Sequence, residues 1–187
     1  MRMKSIIETV ASEMNTVLSQ VREEEALLFS QKLQSAKRIF VTGEGRSGLM
    51  GKAFAMRMMH GGFNVYVIGE TITPSIEADD LLIAISGSGS TGAIYQFASK
   101  AKEAGADVLL VTTNKESKIG SISDGTLVIP AATKYRRPEE PETIQPLGNQ
   151  FDQAVHLVLD AIIIGTLESS KDQPSFAEMT KRHANLE

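Results

Sequence analysis

The sequence predicts an α/β fold: a single doubly wound, five-stranded parallel sheet flanked by helices at both ends of the chain. Two observations carry this. Five short apolar runs that end in glycine or polar turns alternate with stretches of helical periodicity, the signature of a parallel sheet covered on both faces. Two of those runs also lead into the same pattern of strand, Gly-x-Gly-x-x-Gly, helix, in "IFVTGEGRSGLMGKAF" and "LIAISGSGSTGAIYQF", with glycines at 43, 45, 48 and at 87, 89, 92. With 187 residues and 42% apolar content, the chain supports one sizeable core. It is therefore expected to be a single domain, with N-terminal helices over 1–37, an α/β core over 38–170 and a C-terminal extension over 171–187.

Ile6, Ile7, Val10, Met14, Val17, Leu18 and Val21 recur at spacings of three and four and line one face of a first helix. A second helical stretch runs from about Glu23 to Ser35. The strands follow at Arg38–Thr42, Val65–Ile68, Leu81–Ser86, Val108–Thr112 and Leu127–Pro130. Helices are expected between them over Leu49–His60 and Ile94–Ala104, with a short one near Ile119. The segment 131–148, "AATKYRRPEEPETIQPLG", has three prolines and no periodicity. A loop of that length is functional or disordered. After it, "NQFDQAVHLVLDAIIIGTL" reads as a helix capped by Asn149, with Asp152 placed as in a capping box. Its apolar residues cover most of the circumference, which buries it in the core or in a subunit interface. Together with the amphipathic first helix this predicts a homo-oligomer. The polar tail beyond Lys171 docks or frays.

Charge and composition exclude several classes of function. The formal net charge is −4 with no basic block, which gives no footprint for nucleic acid. The chain has no cysteine, so disulfides, thiolate metal sites and thiol catalysis are excluded. No signal-peptide core follows the basic start, and the apolar stretch 154–167 is interrupted by His156 and Asp160, so a cytoplasmic protein outside the membrane is expected. His156 and His183 lack metal-ligand spacing, and Met50, Met56, Met58 and Met59 read as helix packing.

In an open parallel sheet, ligands bind beyond the carboxyl ends of the strands where the strand order reverses. That is where "SGSGST" lies. Either glycine pattern alone also suits a dinucleotide, and Glu70 even supplies an acidic residue for a ribose. Ser86, Ser88, Ser90 and Thr91, however, place four hydroxyls around one helix start, with Gly87 and Gly89 between them. Hydroxyls and amide N–H groups together suit a phosphate monoester, and no substrate domain follows. Strand-to-helix capping is the competing explanation, for these hydroxyls and for Ser47. A P-loop fails on spacing, since Gly51-Lys52 comes one residue late and Ala53 follows.

These loops, "GEGRSG" and "SGSGST", resemble the sugar isomerase (SIS) family of phosphosugar-binding domains, which implies a flavodoxin-like sheet. Within that family, "MRMMHGGFNVYVIGETITP" and "PLGNQFDQAVHLVLDAIII" are similar to the 6-phospho-3-hexuloisomerase branch. Glutamate is expected in that branch where Asp152 stands. The resemblance implies interconversion of 3-hexulose 6-phosphate and fructose 6-phosphate with no metal or redox cofactor. It also implies a homotetramer, and coupling to a 3-hexulose-6-phosphate synthase in formaldehyde fixation. The reaction needs a base at C2, an enediol intermediate and a proton shuttle between two oxygens. Asp152 is the candidate base, with helix capping as the alternative. His60 is the candidate shuttle, with complementation of a helix C-terminus as its alternative. Arg46 is placed to meet enediolate or phosphate charge. Glu70, Thr71 and Thr73 stand at the same sheet edge for sugar hydroxyls, or form the turn before Pro74. A sugar-phosphate sensor that binds without turnover is the second class of function, although residues 1–37 contain no basic helix-turn-helix.

Overall fold

The computed structural model describes residues 2–170 and 173–186. Two helices, α1 (Met3–Leu18) and α2 (Glu23–Ser35), precede the sheet. Strands β1 (Ile39–Gly43), β2 (Val65–Val67), β3 (Leu81–Ile85), β4 (Asp107–Thr112) and β5 (Gly125–Val128) then alternate with α3 (Gly45–His60) and α4 (Gly92–Glu103). A single 3-10 turn (Gly120–Ile122) precedes β5, and α5 (Asn149–Glu168) and α6 (Phe176–Lys181) close the chain. All five strands are parallel, in the order β2-β1-β3-β4-β5. The expected sheet is present, and its strand order reverses between β1 and β3.

Alternation along the strands separates the two faces. Ile39, Val41, Leu81, Ile83, Ile85, Leu109 and Val111 point toward a core closed by α1, α2, α3 and α5, with Phe29, Phe54, Met58 and Phe151 among its largest members. Phe40, Leu82, Ala84, Val108 and Leu110 point the other way, against Ile94, Ala98 and Ala101 of α4. Every residue of β3 is buried, which explains its unbroken run "LLIAI". Three boundaries move. Helix α3 begins four residues before the expected Leu49, so Arg46 and Ser47 belong to its first turn. β5 begins at Gly125, because its register against β4 pairs Leu109 with Gly125. The first helix ends at Leu18 and leaves Ile7 62% exposed, so its apolar face is only partly covered.

The glycines of the first loop have a steric cause. A Cβ on Gly48 would lie 2.4 Å from the carbonyl oxygen of Gly43, so α3 starts in direct contact with the end of β1. In the second loop, Gly89 has φ of +62°, and a Cβ there would overlap the Ser117 hydroxyl. The long segment 131–148 is held in place rather than loose. The Glu13 carboxylate of α1 accepts bonds from the Thr143 hydroxyl, the Ile144 N–H (2.9 Å) and the Gln145 amide (2.9 Å), and lies 3.5 Å from the Gln150 amide. Gln150 in turn accepts from the Ala132 N–H at 2.7 Å. These bonds outweigh the burial of Glu13 and hold its carboxyl below the ordinary range.

Because the obstacle at Gly48 is backbone, it cannot rotate away. Gly48→Ala is expected to cost about 1 to 3 kcal/mol in urea unfolding, with a normal midpoint arguing against the tight β1–α3 contact.

Candidate active site

The carboxyl edge of the sheet opens into a cleft of about 390 Å³ at the β1/β3 reversal. One wall is the loop after β1 and the first turn of α3, with Glu44, Gly45, Arg46 and Ser47. A second is the loop after β3, with Gly87, Ser88 and Thr91. The third joins Thr133, Lys134, Tyr135, Leu147 and Gly148 to Phe151 and Asp152 of α5. Phe151 sets the spacing between walls, since its ring would meet a Cβ on Gly87 at 3.2 Å.

Asp152 stands at the centre of this arrangement. Its residue is 6% exposed, and Oδ1 accepts a 2.7 Å bond from the Ser47 hydroxyl. Oδ2 lies 3.4 Å from Nε of Arg46, whose side chain is 59% exposed. Burial pushes the carboxyl above its ordinary range, against the opposing pull of Ser47 and then Arg46. Capping is not its task. Gly148 occupies the cap position of α5 with no side-chain bond, and Asn149 is already inside the helix. The expected Asn149 cap and capping box are therefore absent. The chain turns into α5 one residue earlier than expected, and the Asp152 carboxylate faces α3 instead of its own N-terminus. The capping explanation for Ser47 fails for the same reason, because its hydroxyl is spent on Asp152.

In the second loop Ser86 is buried and shares a 2.9 Å bond with the Thr91 hydroxyl. Thr91 precedes α4 but makes no side-chain cap bond. Ser88 and Thr91 thus face the cleft, and Ser86 supports Thr91 from beneath. Ser90 is exposed, and its hydroxyl bonds back to the Ser88 carbonyl at 3.3 Å, so it is not part of the cleft wall. Gly89 is there for packing, as described above.

Three other expected residues lie elsewhere. Thr73 donates to the Val67 carbonyl at 2.6 Å and ties off the end of β2, and Glu70 pairs with Lys52 at 2.7 Å on the surface. His60 is at the far end of α3, 14 residues beyond Arg46 and outside this cleft. It is buried, its ring stacks on His183 at 5.2 Å, and its carbonyl accepts from Arg182, so the C-terminal segment docks here. Burial, followed by Arg57 and His183, lowers its pKa and favours the neutral ring. Its Nδ1 lies 3.4 Å from Arg57, while Nε2 has no partner among the described residues. No group of three or more His, Asp or Glu among the described residues is arranged to hold a metal ion.

The third wall was not foreseen residue by residue. Lys134, Tyr135, Leu147 and Gly148 belong to the proline-rich stretch 131–148, which only its length singles out, and Phe151 lies in the first turn of α5. Glu13, 139 positions before Asp152, gave none.

The SIS domain family matches residues 32–140, more than half of the chain. The chain belongs to the SIS domain family. It is similar along its whole length to the 3-hexulose-6-phosphate isomerase of Bacillus subtilis, at 37% identity with both chains fully covered. The Mycobacterium gastri protein of the same name is 36% identical over 95% of this chain and 88% of its own. Among solved structures, a Methanococcus jannaschii protein for which a 3-hexulose-6-phosphate isomerase function was inferred superposes with a TM-score of 0.83. That match has 31% identity and covers 97% of this chain and 98% of that one. The family agrees with what the loop motifs implied, and the isomerase branch with what the two longer segments implied.

The raised pKa of Asp152 carries a stability consequence. A carboxyl whose folded pKa lies above its unfolded value contributes stability that is lost as pH rises from the unfolded toward the folded pKa, so at neutral pH the ionised form weakens the fold. Asp152→Asn is expected to leave the melting temperature at pH 7 unchanged or raised. A clear fall would mean that the carboxylate serves the fold.

Proposed function

We propose that this protein interconverts 3-hexulose 6-phosphate and fructose 6-phosphate through a cis-enediolate, with Asp152 as the base. The observation that supports this most is a buried carboxylate, raised above its ordinary pKa, in a polar cleft beside a hydroxyl-rich loop. A sensor needs the loop but has no use for a destabilised carboxylate, so the same observation favours turnover.

The substrate phosphate is held by Ser88, Thr91 and the first N–H groups of α4, where the helix dipole favours an anion. Asp152 removes the C2 proton of the 3-ketose, electrons move into a C2=C3 enediolate, and the C3 oxygen takes up negative charge. Arg46, beside Asp152 in the cleft, is the cation assigned to that charge. The same carboxyl then returns the proton to C3 as the O2 proton leaves and C2 becomes the ketone. One carboxyl on one face of a cis-enediolate serves both steps. Ser47 orients it by holding Oδ1 and leaves Oδ2 toward the cleft.

The proton that passes between O2 and O3 has no histidine within this chain's cleft. We assign it to His60 of a second copy, whose free Nε2 and neutral ring suit the role. Apolar Met56 and Met59 are 58% and 40% exposed on the same part of α3. The groove between α2 and α5 is likewise apolar, lined by Leu18, Val21, Leu27, Leu157 and Ile162. These uncovered faces support the homotetramer. The substrate would come from a 3-hexulose-6-phosphate synthase.

Asp152→Asn is expected to lower kcat by about two to four powers of ten with KM little changed, and a normal kcat would remove Asp152 from the chemistry. Ser88→Ala and Thr91→Ala are expected to raise KM about ten- to a hundredfold. Unchanged KM in both would move the phosphate elsewhere. Asp152→Asn and His60→Ala subunits, each impaired alone, are expected to regain activity when assembled together. If mixed assemblies stay inactive, His60 does not act across subunits.

A further inference from the structure

The entry to α5 leaves one opening beside Asp152 that no side chain fills. Gly148 lines the cleft, and a Cβ placed on it would have as its nearest neighbours Oδ2 of Asp152 and the main-chain nitrogen of Lys134, each at 4.0 Å. Gly148 has φ of −93° and ψ of 19°, a conformation open to residues with side chains. Neither backbone geometry nor a packed neighbour demands glycine here, in contrast to Gly48 and Gly89. Furthermore, among the described residues the Lys134 N–H finds no acceptor, although the neighbouring Thr133 N–H bonds Glu140 and the Tyr135 N–H bonds the Thr133 hydroxyl.

A base removes a proton from carbon only when the two heavy atoms come within about 3 to 3.5 Å. The space at Gly148 lies 4.0 Å from Oδ2, within an ångström of that approach, and equally 4.0 Å from the Lys134 main-chain nitrogen, whose N–H has no acceptor among the described residues. We propose that Gly148 is a specificity-determining residue: its missing side chain leaves the seat for the reacting hydroxy-ketone carbons of the sugar, between the Asp152 carboxylate and the Lys134 amide. The amide then donates to an oxygen of the reacting pair, and donors fixed in place before reaction stabilise charge that develops there. The inference rests on the reading of Asp152 as the base. It adds that the pocket discriminates among phosphorylated ligands by how far they extend from the phosphate loop toward α5.

Gly148→Ala tests this, measured beside Asp152→Asn. Three competitive ligands report different lengths of the cleft: inorganic phosphate, dihydroxyacetone phosphate and fructose 6-phosphate. In Gly148→Ala, kcat/KM is expected to fall about ten- to a hundredfold. Binding of inorganic phosphate should stay within about twofold of wild type, with the loss of affinity growing toward fructose 6-phosphate. Retained phosphate binding also shows that the variant is folded. A kcat/KM within about twofold of wild type overturns the proposal and leaves the base assignment intact. Equal weakening of all three ligands also overturns it, because the methyl would then distort the whole cleft. A normal kcat in Asp152→Asn removes the base reading, and the proposal with it, whatever Gly148→Ala does.

Discussion

A carboxylate that is nearly buried yet only partly compensated is the constraint around which the rest of this structure is arranged. Asp152 receives one hydroxyl bond and one exposed guanidinium, less than burial of a charge ordinarily requires. It can be held there because two helix starts are locked to the sheet edge. Contact of Gly43 with Gly48 fixes α3, and Phe151 against Gly87 fixes α5. If either contact loosened, Ser47 and Asp152 would lose their bond across 105 residues of sequence.

The third wall of the cleft depends on a region that takes no part in it. Glu13 on α1 binds the 143–145 stretch, and Arg136 bonds the carbonyls of Thr133 and Gln145, so a segment rich in proline and charge becomes a rigid partition. Its three bonds to Glu13 are fully effective when that carboxyl is ionised. Because the folded pKa is depressed, their stabilisation is present above the unfolded pKa and fades as pH falls through the folded one.

The sheet was legible because hydrophobic period and glycine turns are local signals. β3 and its hydroxyl loop could be placed from the eleven residues 81–91, and the resemblance of the two loops to the SIS family held over residues 32–140. Less legible was anything decided by contact between distant segments. Asp152 next to Asn149 looked like part of a cap, since local spacing allows that bond. The structure instead turns its carboxylate to Ser47. The chemistry of the reaction and the family resemblance point to His60, and a 16-residue helix carries it away from the cleft. Thr73 was read by its place near a strand end, but a 2.6 Å bond to its own turn uses the hydroxyl. Density of hydroxyls pointed to Ser88 and Thr91, yet could not separate them from Ser90, which differs only in the direction its side chain takes.

Proton transfer at carbon can be observed apart from net turnover. Fructose 6-phosphate incubated with the protein in deuterium oxide, followed by proton NMR at C3, reports the step assigned to Asp152. The wild-type protein is expected to wash deuterium into C3, and Asp152→Asn to bind the sugar phosphate without exchange. Exchange at C3 in Asp152→Asn at the wild-type rate would contradict the assignment of the base.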